Sequence, residues 1–265
     1  MSTRPIPTPD EGIRAQATGA SDAIVKKSLE ILAPLGMSLS DIVTTSKADP
    51  VIGRHEELDL LIEVLQRRTK SNAILKGEAG VGKTAIVEAL AQRIARGDVP
   101  LSLRNATIWQ LNMGALISFA SIKGKFELTV NMMIDALVAS KGRILAFIDE
   151  IHALRDCKES ISAMDLLKPH LARGTIRVIG CSTHKEVKKF IEPDAAFSRR
   201  FQIIEVRQPT DVEAIAILRG LKPKYASHYR VSILDSAVIA SVKLARRYLT
   251  QKQLPDSSID LLDSA

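Results

Sequence analysis

Apolar side chains recur along this sequence with two different spacings, and segments of the two kinds alternate. Short, almost wholly apolar runs are typical of strands covered on both faces. Longer segments with apolar residues three and four positions apart are typical of helices. We predict strands at Asn72–Lys76, Thr107–Leu111, Arg143–Ile148, Ile176–Gly180 and Phe201–Val206, with helices between them at Lys83–Arg96, Phe126–Ser140 and Ser160–Arg173. This alternation predicts an α/β domain with a parallel sheet flanked by helices, which binds ligands at the carboxyl ends of its strands.

The pattern changes after Pro209, where strand-like segments stop and only helical spacing continues. We predict helices at Asp211–Leu221 and Asp235–Tyr248 and the start of another at Asp256. The last helical pattern reaches Ala265 without a capping residue, so we expect this helical part to continue beyond the present sequence. The prediction is therefore an α/β domain over residues 49–208 followed by a small all-helical domain over residues 209–265.

The first 22 residues are rich in Pro, Thr, Ser, Asp and Gly and contain few large apolar side chains. Such a segment buries too little surface to offset the entropy of ordering, so we predict a disordered tail over residues 1–22. Beyond it, Val25, Leu29 and Leu32 are spaced as one face of a helix, and Ser38 offers a helix cap. We predict a helical linker over residues 23–48.

Composition argues against disulfide-rich, membrane-spanning and secreted classes of protein. With 265 residues, 46% of them hydrophobic, the chain has enough material for a core. Cys157 and Cys181 are not spaced as a redox or metal-ligand pair. No apolar run approaches the ~20 residues of a membrane helix, and the N-terminus has no secretory-type apolar segment. We expect a soluble cytoplasmic protein without a membrane partner, an organelle matrix being the alternative. The net charge of +7 permits an anionic partner, but the basic residues are spread out, which does not favour nucleic acid.

The strongest chemical signal is a glycine-rich segment that follows a predicted strand and opens a predicted helix. It fits G-x-x-x-x-G-K-[ST] and comprises Gly77, Glu78, Ala79, Gly80, Val81, Gly82, Lys83 and Thr84. Glycines let successive backbone N–H groups surround phosphates, and Lys83 adds a point charge that reaches the β- and γ-phosphates. Thr84 is expected to ligate Mg²⁺. A glycine-rich turn before an ordinary helix is the alternative, but the four fixed positions in this context favour nucleotide binding.

Two carboxylates end the apolar strand near residue 148. Asp149 is predicted to hold Mg²⁺, and Glu150 to act as the general base that polarises the attacking water. Alone, such a pair after a strand is more often a helix cap or a solvated turn. Together with the phosphate loop, it predicts a nucleoside triphosphatase.

The motifs together resemble the first nucleotide-binding domain of the Clp-type AAA+ heat-shock unfoldases, in particular the ClpB disaggregases. The resemblance runs from about Leu32 to Ala265. Besides the phosphate loop, it is carried by Asp49–Arg54, Gln66–Asn72, Gly97–Pro100, Phe147–Glu150, Leu166–Pro169, Leu171–Gly174 and Leu254–Asp256. It implies a P-loop AAA+ sheet with a helical lid, in a protein that couples ATP hydrolysis to remodelling of unfolded or aggregated polypeptide in a hexameric ring.

The resemblance also implies roles for individual residues. Val51 and Ile52 would lie on one side of the adenine, and Ile217 and Leu221 of the lid on the other. Thr183 would sense the γ-phosphate and orient the attacking water, although a cap for the following helix is an equal alternative from the sequence alone. Arg199 and Arg200 would lie in the segment whose arginine reaches the neighbouring subunit's γ-phosphate.

The chain departs from the family pattern at several places. The substrate-gripping pore loop corresponds to Ile122, Lys123 and Gly124, with Ile122 where the family commonly has an aromatic residue. Ser257 stands where a lysine is usual, and the segment Ala153–Ser160 is shorter and less glycine-rich than usual. These differences leave two alternatives to an unfoldase motor: a nucleotide-gated ring-assembly module with little motor activity and, less favoured, a DNA-directed AAA+ loader.

Overall fold

The computed structural model describes residues 22–45, 51–120, 125–155 and 162–265. The predicted tail over residues 1–22 therefore lies outside the described residues except for Asp22, and so do the predicted pore-loop residues Ile122, Lys123 and Gly124. No helix of the described ranges combines the length and the apolar character that crossing a membrane requires.

Within the described ranges, six strands form one sheet in the order β1-β3-β4-β5-β2-β6. All neighbours are parallel except β1, which runs antiparallel to β3 at the edge. The strands are β1 Gly36–Ser38, β2 Asn72–Lys76, β3 Thr107–Leu111, β4 Ile144–Ile148, β5 Arg177–Ser182 and β6 Phe201–Glu205. The predicted α/β architecture with a parallel sheet is confirmed.

Helices cover the sheet and follow it along the chain. They are α1 at residues 22–32, α2 Leu39–Thr45, α3 His55–Gln66, α4 Lys83–Arg96, α5 Met113–Ala120, α6 Lys125–Ala139, α7 Ala163–Arg173, α8 His184–Glu186, α9 Ala195–Ser198, α10 Asp211–Tyr229, α11 Asp235–Tyr248 and α12 Asp256–Asp263. A π-helical turn, Val187–Ile191, continues α8, and 3₁₀ turns occupy Ala33–Leu35 and Ile151–Arg155.

Strand β4 shows why its sequence is almost wholly apolar. Successive strand side chains point to opposite faces. Ile144, Ala146 and Ile148 accordingly join the apolar cluster that includes α6 and α7, whereas Leu145 and Phe147 join the cluster that includes α3 and α4. Because both faces are buried, the strand has no solvent side to carry polar residues.

The segment predicted as a helical linker also adds a strand to the sheet. Helix α1 follows the predicted spacing, and the Ser38 hydroxyl accepts a hydrogen bond from the Asp41 backbone N–H at 3.2 Å at the start of α2. Between them, β1 pairs Gly36 with Leu111, and a Cβ on Gly36 would lie 2.8 Å from the indole Nε1 of Trp109. The three-residue strand Gly-Met-Ser is too short to show a periodic pattern, so the sequence analysis missed it.

Helices α10, α11 and α12 pack around their own small apolar cluster, whose buried members are Ala214, Leu218, Val238, Val242, Ala245 and Leu254. Helix α10 extends past the predicted end at Leu221, although proline lacks an N–H for the helix ladder. It continues through Pro223 to Tyr229, whose hydroxyl donates a hydrogen bond to Asp263 of α12 at 2.8 Å.

Candidate functional site

The carboxyl ends of β2, β5 and β4 lie side by side in the sheet and bring the predicted site segments together. The register places Lys76 of β2 opposite Ser182 of β5, and Gly180 of β5 opposite Ile148 of β4. The phosphate loop, Thr183 and the Asp149-Glu150 pair follow these strands directly. The parallel topology therefore gathers three distant parts of the sequence at one edge.

The phosphate loop depends on glycine at defined positions. Gly80 and Gly82 have φ values of +80° and +94°, in the region that glycine adopts readily and other residues rarely. At Gly77 an added Cβ would lie 2.3 Å from the carbonyl oxygen of Val206, so only glycine allows this approach. The Gly77 backbone N–H also donates a hydrogen bond to the Ser182 carbonyl oxygen, with an N···O distance of 3.2 Å. The loop is thus fixed at its start by strands on both sides.

Lys83 lies at the first position of α4 and points back into the loop. Its ammonium donates hydrogen bonds to the carbonyl oxygens of Gly77 and Glu78 at 2.9 and 2.8 Å. Glu78 and Ala79 supply the backbone of the loop between Gly77 and Gly80. The cation is therefore held over the loop by backbone acceptors that are themselves fixed.

Thr84 and Asp149 provide oxygen atoms suited to a hard divalent cation. The Thr84 hydroxyl donates to the Asp149 carboxylate at 3.3 Å. A hydroxyl and a carboxylate match the preference of Mg²⁺ for one or two protein oxygens together with phosphates and waters. The described part of the chain contains no group of three or more His, Cys, Asp and Glu side chains placed to hold a metal. Most ligands of a cation here would consequently come from nucleotide and water.

Glu150 lies beside Asp149 but differs in exposure and backbone. Asp149 is half-buried, whereas Glu150 is exposed, and Glu150 has a left-handed φ of +59°. Both line an open cleft of about 360 Å³ together with Asn112 and Met113. A left-handed backbone is unfavourable for glutamate, and strained residues of this kind are enriched at active sites. The turn directs one carboxylate toward Thr84 and leaves the other facing solvent.

A second cleft, of about 310 Å³, separates the phosphate loop from the lid. Val51 and Ile52 line it on the α/β side and Ile217 and Leu221 on the lid side. The loop contributes Gly80, Val81, Gly82, Lys83 and Thr84. An apolar slot next to a phosphate-binding loop has the shape and chemistry for a purine base with its phosphates.

The lid touches the phosphate loop at Gly80. The Asp256 backbone N–H donates to the Gly80 carbonyl oxygen at 3.4 Å, and a Cβ on Gly80 would lie 2.7 Å from the Cβ of Asp256. The neighbouring Ser257 is fully buried in the lid. This contact lets the position of α12 depend on the shape of the loop.

Arg54 joins the loop to the segment that precedes the lid, and the sequence analysis did not single it out as a functional residue. One guanidinium nitrogen donates to the carbonyl oxygens of Val81 and Arg207, both at 2.7 Å, and the other pairs with Glu57 at 2.9 Å. Arg207 lies just before the lid. The only hint in the sequence was the Gly53-Arg54 pair just before the start of α3. In the structure both residues have positive φ.

Thr183 caps α8, as the alternative prediction proposed. Its hydroxyl accepts from the Glu186 backbone N–H at 3.4 Å, and the Glu186 carboxylate accepts from the Thr183 backbone N–H at 2.9 Å. Burial raises the pKa of Glu186, but hydrogen bonds from Thr183 and the nearby His152 outweigh it and hold that pKa below its ordinary value. The hydroxyl can still donate its own hydrogen, so capping and phosphate sensing are chemically compatible.

His184, which follows Thr183, was also missed. Its Nδ1 lies 3.1 Å from the Glu78 carboxylate in the phosphate loop, and its Nε2 contacts Glu205 at the end of β6. Lys76 pairs with the same Glu205 at 3.1 Å. Burial raises the pKa of Glu205, but His184 and Lys76 outweigh this and lower it. No short motif could have revealed this contact, because its members come from three separate strand ends.

Arg199 and Arg200 point in different directions. Both follow the short helix α9, whose Phe197 is fully buried against Phe201 with ring centroids 4.7 Å apart. The Arg200 guanidinium donates to the carbonyl oxygen of Ala172 at 3.3 Å and so faces its own chain. Arg199 is exposed, and its side chain makes no hydrogen bond or ion pair with any residue the structure describes.

Comparison with known proteins gives consistent matches over both parts of the chain. Residues 73–208 match the ATPase family associated with various cellular activities (AAA), and residues 210–265 match the AAA lid domain. The chaperone protein ClpB of Porphyromonas gingivalis is 52% identical over 222 residues, covering 83% of this chain and 26% of that protein. ClpB of Pseudomonas putida is 46% identical over 248 residues, covering 92% and 29%. The present chain thus spans about a quarter of these relatives' length.

Solved structures give the same fold. The Saccharomyces cerevisiae Hsp104–ADP complex superposes with a TM-score of 0.82 at 46% identity, covering 88% of this chain and 33% of that one. A complex of S. cerevisiae Hsp104 with casein in an extended conformation gives the same score and identity, covering 40% of that chain.

Proposed function

Because the chain belongs to the AAA family of ATPases, we propose that it is the ATP-binding and ATP-hydrolysing module of a ClpB-like protein disaggregase. The observation that carries this proposal is the meeting of three elements at one edge of the sheet: the phosphate loop with Lys83, the Thr84–Asp149 pair and the exposed Glu150. Each supplies a different requirement of phosphoryl transfer to water.

Binding would begin with the phosphates. The backbone N–H groups of the loop and the N-terminus of α4 attract negative charge, and Lys83 exchanges its two loop carbonyls for phosphate oxygens. Thr84 and Asp149 would hold Mg²⁺, which neutralises phosphate charge when bound. Val51 and Ile52 would cover one face of the adenine while Ile217 and Leu221 cover the other. A base held between the α/β domain and the lid couples nucleotide state to lid position.

Glu150 is the proposed general base. Its carboxylate lies next to the Mg²⁺-binding pair but is not committed to it, since Asp149 is the residue that contacts Thr84. Thr183, at the end of the adjacent strand, would donate its hydroxyl hydrogen to the γ-phosphate or to the attacking water. The two groups would thus orient water for in-line attack.

Arg199 is proposed to complete a neighbouring subunit's site. Arg199 faces solvent just before β6 begins, at the edge of the sheet opposite its own phosphate loop, and its guanidinium has the charge to stabilise a neighbouring subunit's γ-phosphate in the transition state. A site divided in this way requires a ring, and a hexamer is proposed for the whole protein. The substrate is unfolded or aggregated polypeptide, gripped by a pore loop in which Ile122 would make an aliphatic contact.

The test is the steady-state ATPase rate per subunit as a function of protein concentration, with particle size followed by light scattering. We expect the rate to rise with assembly, and Glu150→Gln to abolish turnover while keeping ATP binding. Glu63→Gln, which alters an exposed glutamate on α3, is the matched control and should behave as wild type. Negligible turnover of the assembled wild type would contradict the motor and indicate a nucleotide-gated assembly module. Salt-sensitive DNA binding would instead indicate a DNA-directed loader.

A further inference from the structure

An ion bridge connects α7 to the segment that carries Arg199. The Lys168 ammonium of α7 lies 2.6 Å from the Asp165 carboxylate one turn earlier and 2.6 Å from the Asp194 carboxylate, which begins α9. The Lys168 and Asp194 side chains are only 28% and 20% exposed. Charges shielded from solvent to this extent are screened less than those of an ordinary surface pair.

Asp194 performs two tasks at once. One carboxylate oxygen accepts the Phe197 backbone N–H at 3.1 Å and so caps α9, while the other meets Lys168. Burial raises the pKa of Asp194, but the Lys168 contact and the Phe197 N–H outweigh it and lower that pKa. The hydrogen bond to Asp165 raises the pKa of Lys168, so both groups stay charged. The ion bridge therefore fixes where α9 starts.

Helix α7 also holds the far end of α9. The Arg200 guanidinium donates to the Ala172 carbonyl oxygen, one turn beyond Lys168 on α7. Both anchors of α9 therefore come from α7. The Arg200 backbone carbonyl in addition accepts the side-chain N–H of Asn72, a buried residue at the start of β2. Arg199 is thus placed between a capped start at Asp194 and an anchored residue at Arg200.

We propose that Lys168 is a positioning residue for Arg199: by bridging Asp165 and Asp194 it sets the start of α9 and hence the point from which Arg199 reaches the neighbouring subunit. This rests on the proposed function, in which Arg199 acts on the neighbour's nucleotide. Within its own subunit, α7, which carries Lys168, packs on the opposite face of the sheet from α4, which carries the lysine of the phosphate loop. Loss of Lys168 should therefore impair the neighbour's site and leave the site of its own subunit intact.

Mixing of inactive variants tests this directly. Lys168→Met is expected to lower the assembled ATPase rate about tenfold or more, since displacing a catalytic group by about 1 Å can lower a rate by up to about 100-fold. Its nucleotide affinity should stay within about twofold of wild type, because Lys168 and its two carboxylate partners are not among the residues that line the cleft between the phosphate loop and the lid. Mixed one to one with Glu150→Gln, it should recover about a quarter of the wild-type rate, because about a quarter of random interfaces join an intact site to an intact arginine.

Two further mixtures separate the explanations. Arg199→Ala with Glu150→Gln should recover to the same extent, whereas Lys168→Met with Arg199→Ala should not recover, because both damage the same half. If only the Arg199→Ala mixture recovers, the positioning role of Lys168 is overturned. If neither Lys168→Met nor Arg199→Ala recovers when mixed with Glu150→Gln, the proposal of a site divided between subunits is contradicted. The positioning role of Lys168, which rests on that proposal, is then contradicted too.

Conservative and matched variants exclude a general folding defect. Lys168→Arg keeps a cation between the two carboxylates and should retain at least about half of the rate. Lys252→Met removes an exposed lysine–carboxylate pair of the lid and should remain at the wild-type rate. Should Lys168→Met fail to fold, Asp194→Asn takes its place, since asparagine still caps α9 but carries no charge for Lys168. Full activity of the folded replacement would equally overturn the proposal.

Discussion

The two halves of the proposed catalytic site are held in place by different means. In the phosphate-loop half, Lys83 bonds to backbone carbonyls and Gly77 lies against Val206. In the arginine half, Arg199 follows a short helix that is anchored at its start by the Lys168–Asp194 ion pair and beneath by the buried Phe197. The first half is built mainly from backbone close to the sheet, and the second mainly from side chains near the surface.

The difference matches what each half has to do. A loop that surrounds phosphates needs fixed N–H directions, which strand ends and glycine conformations supply. An arginine that acts on another subunit must stay exposed until assembly, so its support has to come from its sides. Breaking a single side-chain contact can therefore displace Arg199. The phosphate loop is displaced mainly by substitutions that change its backbone conformation.

The largest expected effect separates the two adjacent arginines. Arg199→Ala should lower the assembled ATPase rate by about 1,000-fold or more, since an arginine that acts in trans contributes about 10³–10⁵-fold to the rate. Its free energy of unfolding should change by less than about 0.5 kcal/mol, because the side chain is exposed. Arg200→Ala should lower the rate by about tenfold or less and cost about 1 kcal/mol of stability through its bond to Ala172. ATPase assays and urea titrations of both variants measure this.

Equal losses of rate, or a larger stability loss at Arg199, would contradict the inward and outward orientations of the two side chains. The arginine half would then not consist of one exposed arginine supported by side-chain contacts on either side of it.

A second prediction concerns the loop. Gly80→Ala places a Cβ where Asp256 lies, and we expect nucleotide affinity to fall by about tenfold as loop and lid move apart. Gly97→Ala is a matched control, because Gly97 has a similar φ of +72° but nothing within 4 Å of an added Cβ. Both variants should lose about 1 kcal/mol of stability from the left-handed backbone. Fluorescent-nucleotide titration together with urea unfolding distinguishes contact from strain, and an equal loss of affinity in both would assign the effect to strain alone.

The smallest effect is expected at Thr183. Thr183→Ala should reduce the free energy of unfolding by about 1 kcal/mol by removing the cap of α8. Thr183→Asp restores an acceptor for the Glu186 N–H but has no hydrogen to donate to a phosphate, so stability should return and turnover should not. Thermal melts and ATPase assays of these variants, with Thr183→Ser as the control for a retained hydroxyl, measure the two roles. Full turnover in Thr183→Asp would leave capping as the sole role.

The regular elements of the sheet were largely predictable. Strands β2 and β3 and helices α4 and α11 have the predicted bounds, because apolar periodicity, glycine and charge agree in each. The chain's AAA family membership confirms the resemblance seen in the motifs. Strand β1 could not be found, since its pairing with β3 depends on residues about 70 positions away rather than on a local pattern.

The candidate site was predictable only as far as it is written in contiguous motifs. The phosphate loop and Asp149-Glu150 are each a few consecutive residues, and topology brings them to one edge as expected for parallel strands. Arg54 bonded to Arg207, His184 bonded to Glu78, and Lys168 bonded to Asp194 join residues that are 153, 106 and 26 positions apart. No spacing rule links such pairs, and the direction of each arginine after α9 likewise depends on what surrounds it.

The fluorescence of Trp109 can report whether the edge strand β1 is paired with β3. Trp109 is the single tryptophan of the sequence, it is buried on β3, and the paired strand β1 lies so close that a Cβ on Gly36 would come within 2.8 Å of the indole Nε1. Separation of β1 from β3 would admit water to the indole and shift its emission to longer wavelength. The chain therefore contains an intrinsic, label-free reporter of whether the segment before the nucleotide-binding domain is attached to the sheet.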